Sequence, residues 1–247
     1  MDRIAIVTGA TSGIGKEFVR LLKDRQGIDK IWAVGRDPEK LKSLETDTTI
    51  PICSDLSKGI SEITGKLENE SPEIVLLINC AGLGTRQDFH STDEEKISAM
   101  TDVNCRALTL LTRASLPYMK EGAKIINIAS SAGFLPQPGF AVYAASKSYV
   151  ISFSRALREE LKPRKISVTC VCPGPVETDF NRRATGSSEG FTGFRKNISK
   201  KPDEIAEKSL KAADKGRAML VPGMSQKLFH FATKIIPHNW VLKVIKW

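Results

Sequence analysis

The sequence predicts an α/β fold, a doubly wound parallel sheet with helices on both faces. Three observations carry the prediction. Short runs rich in Ile and Val recur along the chain and are apolar at successive positions, as strands buried on both faces are. Longer mixed segments with helical spacing lie between them, and strand–helix alternation packs as βαβ units. A glycine-rich turn joins the first strand directly to the first helix.

The strand runs are "IAIVT" from Ile4, "IWAV" from Ile31, "IPIC" from Ile50, "IVLLIN" from Ile74, "KIINIA" from Lys124, "ISVTCVC" from Ile166 and "AMLVP" from Ala218. Helices are expected at Ile14 to Leu22, Pro38 to Leu44, Glu94 to Met119, Val142 to Leu161 and Pro202 to Ala213. Pro202 suits a first-turn position, where its missing N–H costs nothing. No internal repeat and no Gly/Ser linker divides the chain, so residues 1–247 read as one domain. Within it, 180–200 reads as a long loop, of a length that in compact domains is functional or disordered, and 224–247 as an amphipathic extension.

The chain is 41% hydrophobic and 26% charged over 247 residues, which suits a single large core. Its net charge of +9 permits anionic partners such as a phosphorylated cofactor, an acyl carrier or a membrane surface. No run of like charges suggests a nucleic-acid tail, and no nucleic-acid partner is expected. The five cysteines are scattered without a CxxC pair, so they read as free thiols in a reducing compartment. No metal site is expected. No secretory signal pattern opens the sequence, and no run reaches the roughly 18 apolar residues of a spanning helix. The expected location is the cytoplasm.

The first strand ends in "TGATSGIG", Thr8 to Gly15. Gly9 allows a tight turn, Gly13 lets the backbone approach a pyrophosphate, and Gly15 lets the helix pack on the sheet. The helix N-terminus then offers N–H groups and partial positive charge to phosphates. After the second strand comes "GRDPEK". A carboxylate at that tip would hold a ribose 2′-OH, whereas the Arg36 guanidinium can pair with a 2′-phosphate. The local chemistry therefore favours NADP(H) over NAD(H). In the other reading Arg36 is a solvated loop residue and Asp37 caps the helix at Pro38; both can hold together.

These residues resemble the short-chain dehydrogenase/reductases, a family with a Rossmann-like sheet. The resemblance rests on "TGATSGIG", "NCAG" from Asn79, Asn104 in "DVN", "NIASSAG" with Ser130, "YAASK" with Tyr143 and Lys147, and "CPGPVET". It runs from about Arg3 to Thr178 and implies catalytic roles for Asn104, Ser130, Tyr143 and Lys147. It implies that Thr11, Ser12 and Ile14 line the cofactor phosphates with the glycines. Asp55 and Leu56 would contact the adenine, and Asn79, Ala81 and Gly82 would sit beside the adenosine ribose. Pro173, Gly174, Val176 and Thr178 would bind the nicotinamide end. Cys80 stands where the family usually has alanine. Asn104 is expected to kink its helix through a water and to link Lys147 to solvent.

A carbonyl that accepts hydride also needs a proton on oxygen, and Tyr143 can donate one. Free tyrosine has a pKa near ~10. Lys147 lies four residues on, hence on the same helical face. At ~4 Å and an effective dielectric of ~20 a unit positive charge favours phenolate by about 4 kcal/mol, close to three pK units. Lys147 is thus expected to bring the phenol towards working pH. Ser130 can orient the substrate oxygen. Alone, "YAASK" could equally be ordinary helix surface. A serine-hydrolase reading lacks its Gly-x-Ser-x-Gly elbow.

The expectation is a reductase for a ketone or aldehyde, reversible, assembled as a homodimer or homotetramer. Its rival is a cofactor-binding regulator without turnover. The resemblance implies a substrate lid at 180–200, where Phe180, Phe191 and Phe194 offer apolar contact and Arg182, Arg183, Arg195 and Lys196 offer charge; a bland mobile loop is the other reading. From Lys215 onward there are no acids, and Leu228, Phe231, Ala232 and Ile235 follow helical spacing, with Trp240, Val241, Val244 and Ile245 beyond Pro237. This tail packs on its own domain or an oligomer interface, lies on an anionic membrane, or caps the substrate pocket. A membrane role would favour lipid-like substrates, acyl or steroid ketones.

Overall fold

The computed structural model describes residues 1–180, 184 and 199–244. Seven strands form one parallel sheet: β1 Arg3–Thr8, β2 Lys30–Gly35, β3 Thr49–Cys53, β4 Glu73–Asn79, β5 Lys124–Ile128, β6 Ser167–Val171 and β7 Met219–Leu220. Their order is β3-β2-β1-β4-β5-β6-β7. The winding reverses between β1 and β4, which opens a crevice at the carboxyl ends of those strands. All seven expected runs are strands.

Alternation along each strand feeds two core layers. Ile4 and Ile6 of β1 face one layer with Ile74, Leu77, Ile125 and Val168. Ala5 and Val7 face the other with Ile31, Ala33, Ile78 and Ile126. Helix α1, Gly13–Leu22, covers the second layer through Phe18, Val19 and Leu22. Helix α2, Pro38–Lys42, adds Leu41 to that layer. Helix α3, Ser61–Glu70, buries only Ile63 and Leu67. That thin stripe, with Gly65 between its members, explains why the sequence pattern did not reveal it.

The expected long helix from Glu94 is a chain of pieces. They are α4, Glu94–Thr101, a π-helical turn, Asp102–Ala107, then α5, Leu108–Ser115, and a 3₁₀ turn, Leu116–Tyr118. Asn104 sits in the π turn, so the expected departure from regular helix takes that form. Helix α6, Ala141–Leu161, buries Tyr143, Lys147, Val150, Ser154, Leu157 and Leu161. These follow three- and four-residue steps, so "YAASK" opens the buried stripe and is not surface. Helix α7, Pro202–Asp214, packs beside α1 with Pro202 in its first turn. Helices α8, Met224–Ile235, and α9, His238–Val244, end the described chain. No helix among the described residues is long and apolar enough to cross a membrane.

Candidate active site

At the carboxyl edge of the sheet a cleft of about 380 Å³ runs from Arg36 past the glycine turn to Tyr143. The turn after β1 needs glycine for reasons of space. A Cβ on Gly15 would stand 2.1 Å from the Gly9 carbonyl oxygen, and one on Gly9, at φ +68°, would stand 2.9 Å from the Ala81 Cα. Gly13, at φ +52°, leaves room for the Thr178 methyl, 2.9 Å from where its Cβ would be. The turn therefore touches the β4 loop on one side and the β6 loop on the other.

Thr8, which sequence reasoning did not single out, ties the turn to the β4 loop. Its hydroxyl oxygen accepts the N–H groups of Cys80 and Ala81, each at 3.0 Å. Ser12 stands at the N-cap of α1 without capping it, and the first turn carries no acid. Among the described residues the Thr11 and Ser12 hydroxyls make no hydrogen bond. Donors left free at a helix N-terminus, beside a glycine turn, fit the phosphates of a dinucleotide.

Arg36 is exposed and borders the far end of the cleft. Asp37 caps α2, its Oδ1 accepting the Lys40 N–H at 3.1 Å. Arg36 is thus an exposed loop residue at the cleft edge, and Asp37 is the helix cap. Asp55 and Leu56 line the cleft beside Ser54. The Asp55 carboxyl is held below its ordinary value, first by the Ser57 hydroxyl at 2.7 Å and least by the Arg36 charge.

Asn79 does not line this cleft. Its amide is buried, donating to Thr112 Oγ1 at 3.0 Å and to Asn127 Oδ1 at 2.8 Å. The side chain joins β4 to β5 and α5. The reason is strand alternation, which turns the residue at the tip of β4 towards the sheet interior.

Ser130, Tyr143 and Lys147 converge in the cleft just past β5. Ser130 has extended backbone, and its Oγ accepts the Ala132 N–H at 3.1 Å. Lys147 is 4% exposed and donates to the Ile128 carbonyl at 3.0 Å. Its Nζ lies 5.7 Å from the Tyr143 ring centroid. A Cβ on Gly82 would be 3.3 Å from that Nζ and 3.4 Å from Asn104 Oδ1, so both groups crowd this glycine. Asn104 lies behind the cleft. Its Nδ2 donates to the Leu83 carbonyl at 2.8 Å and to Ser146 Oγ at 2.9 Å, while its Oδ1 accepts the Leu83 N–H at 2.8 Å.

The electrostatics differ from the sequence expectation. Burial pushes the Tyr143 phenol up to about 12, and a hydrogen bond with Ser130 pulls the other way. Burial likewise lowers the Lys147 ammonium. A lowering of about three pK units needs a charge at ~4 Å in a wet medium. Here the phenol is desolvated and the ammonium donates to the Ile128 carbonyl, so burial wins. Cys80 borders the cleft, and burial pushes its thiol up to about 12 against the nearby Lys147 charge.

Three aromatic rings meet at the Tyr143 end of the cleft. Phe140 lies on Tyr143 with centroids 4.3 Å apart and planes at 23°, and Phe180 meets the same ring at 5.5 Å. Leu83, Arg86 and Gln137 complete the wall. Of the remaining sites, Thr11 to Gly15, Ala81, Gly82, Pro173, Gly174, Val176 and Thr178 all border the cleft. Phe191, Phe194, Arg182, Arg183, Arg195 and Lys196 lie outside the described residues, as does Ile245.

Comparison with known proteins agrees with this architecture. The family model described as short chain dehydrogenase matches residues 3–188. An uncharacterized short-chain type dehydrogenase/reductase of Sinorhizobium fredii is 41% identical over 187 residues, 74% of this chain and 73% of the relative. A short chain dehydrogenase from Burkholderia cenocepacia, solved in complex with NADP, superposes with a TM-score of 0.83 at 24% identity, covering 100% of this chain and 98% of that one. A 3-ketoacyl-(acyl-carrier-protein) reductase from Brucella melitensis, complexed with NADH, gives 0.75 at 27% identity over 89% and 96% of the two chains. Fold and cleft define a nicotinamide-dependent oxidoreductase. This chain belongs to the short-chain dehydrogenase/reductase family.

Proposed function

We propose that the chain is an NADP(H)-dependent carbonyl reductase and alcohol dehydrogenase acting on a ketone or aldehyde. The observation that carries this reading is the convergence of Ser130, Tyr143 and Lys147 in the same cleft as the glycine turn. The bound nicotinamide supplies or accepts hydride. The chain supplies binding, orientation and the proton.

Tyr143 gives its phenolic proton to the nascent alkoxide. Burial keeps that proton in place at neutral pH, which is the form that reduction requires. Ser130 Oγ accepts the Ala132 N–H and hydrogen-bonds the Tyr143 phenol, which sets it to hold a substrate oxygen beside that phenol. Lys147 uses one N–H on Ile128 and has two left for a cofactor ribose and for the phenol side of the site. Asn104 fixes the Leu83 loop and Ser146 behind them, so its role is positional. Arg36, exposed at the cleft end, supports NADP(H) over NAD(H) by pairing with a 2′-phosphate. The Phe140, Tyr143 and Phe180 wall favours an apolar substrate body, such as an acyl or steroid ketone. For assembly as a homodimer or homotetramer, Leu110 and Tyr149 supply exposed apolar surface on neighbouring helices, joined at the Thr109–Tyr149 hydroxyl pair.

The test follows NADPH oxidation with a panel of ketones and aldehydes, wild type against Tyr143→Phe. The expected loss is about a hundredfold or more, the scale of general acid catalysis. Turnover unmoved by that substitution rejects Tyr143 as proton donor. Cofactor binding with no turnover on any carbonyl would leave the regulator reading in its place.

A further inference from the structure

Ten large apolar side chains are exposed among the described residues, and six of them lie in α8, α9 or the joint between them. Met224, Leu228, Phe231 and Ile235 are 79%, 68%, 61% and 64% exposed and recur at steps of four, three and four. That spacing sets them in one stripe along α8. Ile236 and Trp240 extend it past Pro237, and Trp240 is 68% exposed.

The opposite side of α8 is docked on the protein. Gln226 is buried against Gly174, with its Cδ 2.6 Å from where a Cβ of that glycine would be. The His230 and Phe229 rings lie on Phe134 at centroid distances of 4.3 and 6.3 Å. The helix is thus held by its inner face, and the apolar stripe points away from the domain.

Charge selects what covers the stripe. Residues 215–247 contain no Asp or Glu, and Lys227, Lys234 and Lys243 accompany the stripe. On a helical wheel Lys227 and Lys234 fall at its edge, where a long stem can lie along apolar surface and its ammonium can reach a headgroup. A second copy laid on the stripe would bring the same lysines together in a chain of net charge +9. We propose that α8 and α9 form a docking surface for an anionic lipid bilayer, with the apolar stripe in the acyl boundary and the lysines among the headgroups. Because Gln226 bears on Gly174 at the cleft, the bilayer would lie close to the site entrance. This surface stands on its own observations, whatever carbonyl the cleft takes.

The experiment is sedimentation of the full chain with vesicles of phosphatidylcholine alone and of phosphatidylcholine containing phosphatidylglycerol. Binding is expected only to the anionic vesicles and is lost at high salt. Leu228→Glu with Ile235→Glu should weaken it about tenfold or more, and Lys227→Gln with Lys234→Gln should weaken it and flatten its salt dependence. Both pairs are exposed, and an unchanged melting curve and cofactor-induced fluorescence quenching show that fold and cleft survive. Failure to sediment with anionic vesicles overturns the proposal. So does equal, salt-independent binding to both vesicle types. So does a wild-type oligomer that Leu228→Glu with Ile235→Glu splits, since a second copy would then cover the stripe.

Discussion

Replacing Tyr143 by phenylalanine isolates one proton whose position the structure specifies. Tyr143 is 7% exposed, and burial pushes its phenol up to about 12. Against a free phenol near ~10, that is roughly 3 kcal/mol in favour of the protonated form. At pH ~11 a free phenol is about nine-tenths ionised, whereas a phenol at ~12 is about one-tenth ionised. The assay is phenolate absorbance of the cofactor-free chain during an alkaline titration, wild type minus Tyr143→Phe, with circular dichroism confirming the fold at each point. The folded-state value lies above the unfolded one, so nothing is lost below pH ~10, and stability falls as pH rises from ~10 through ~12. Tyr143→Phe removes that share of the alkaline loss. A difference signal that titrates at or below ~10 would refute the argument, because the Lys147 charge would then outweigh desolvation.

Two further outcomes follow from other parts of the cleft. Arg36→Ser should weaken NADPH binding about tenfold to a hundredfold, the scale of one charge-assisted contact, and leave NADH binding unchanged. Fluorescence quenching by each dinucleotide reads this, and an equal loss for both rejects the 2′-phosphate contact. Thr8→Val removes the acceptor shared by the Cys80 and Ala81 N–H groups and should cost about 2 kcal/mol or more in urea unfolding. An unchanged midpoint would mean that the β4 loop does not depend on this hydroxyl.

The sequence by itself determined the sheet and the parts of the cleft formed by local backbone. Runs such as "IVLLIN" became strands because residues apolar on both faces can be buried only inside a two-layered sheet. Gly9, Gly13 and Gly15 were legible because a turn that admits no Cβ leaves glycine as the sole solution, although the atoms that exclude the Cβ became known only on folding. Helix α3 was obscure because its buried stripe is two residues wide. Only the tertiary structure decided what depends on groups distant in the chain. Asn79 turns inward to Thr112 and Asn127, Thr8 holds a loop more than seventy residues away, and Phe140 stacks on Tyr143. It also reversed the expected shift of the phenol. Residue spacing places Lys147 on the same helical face as Tyr143, but the balance of charge against desolvation depends on how much water packing removes, and no stretch of sequence encodes that quantity.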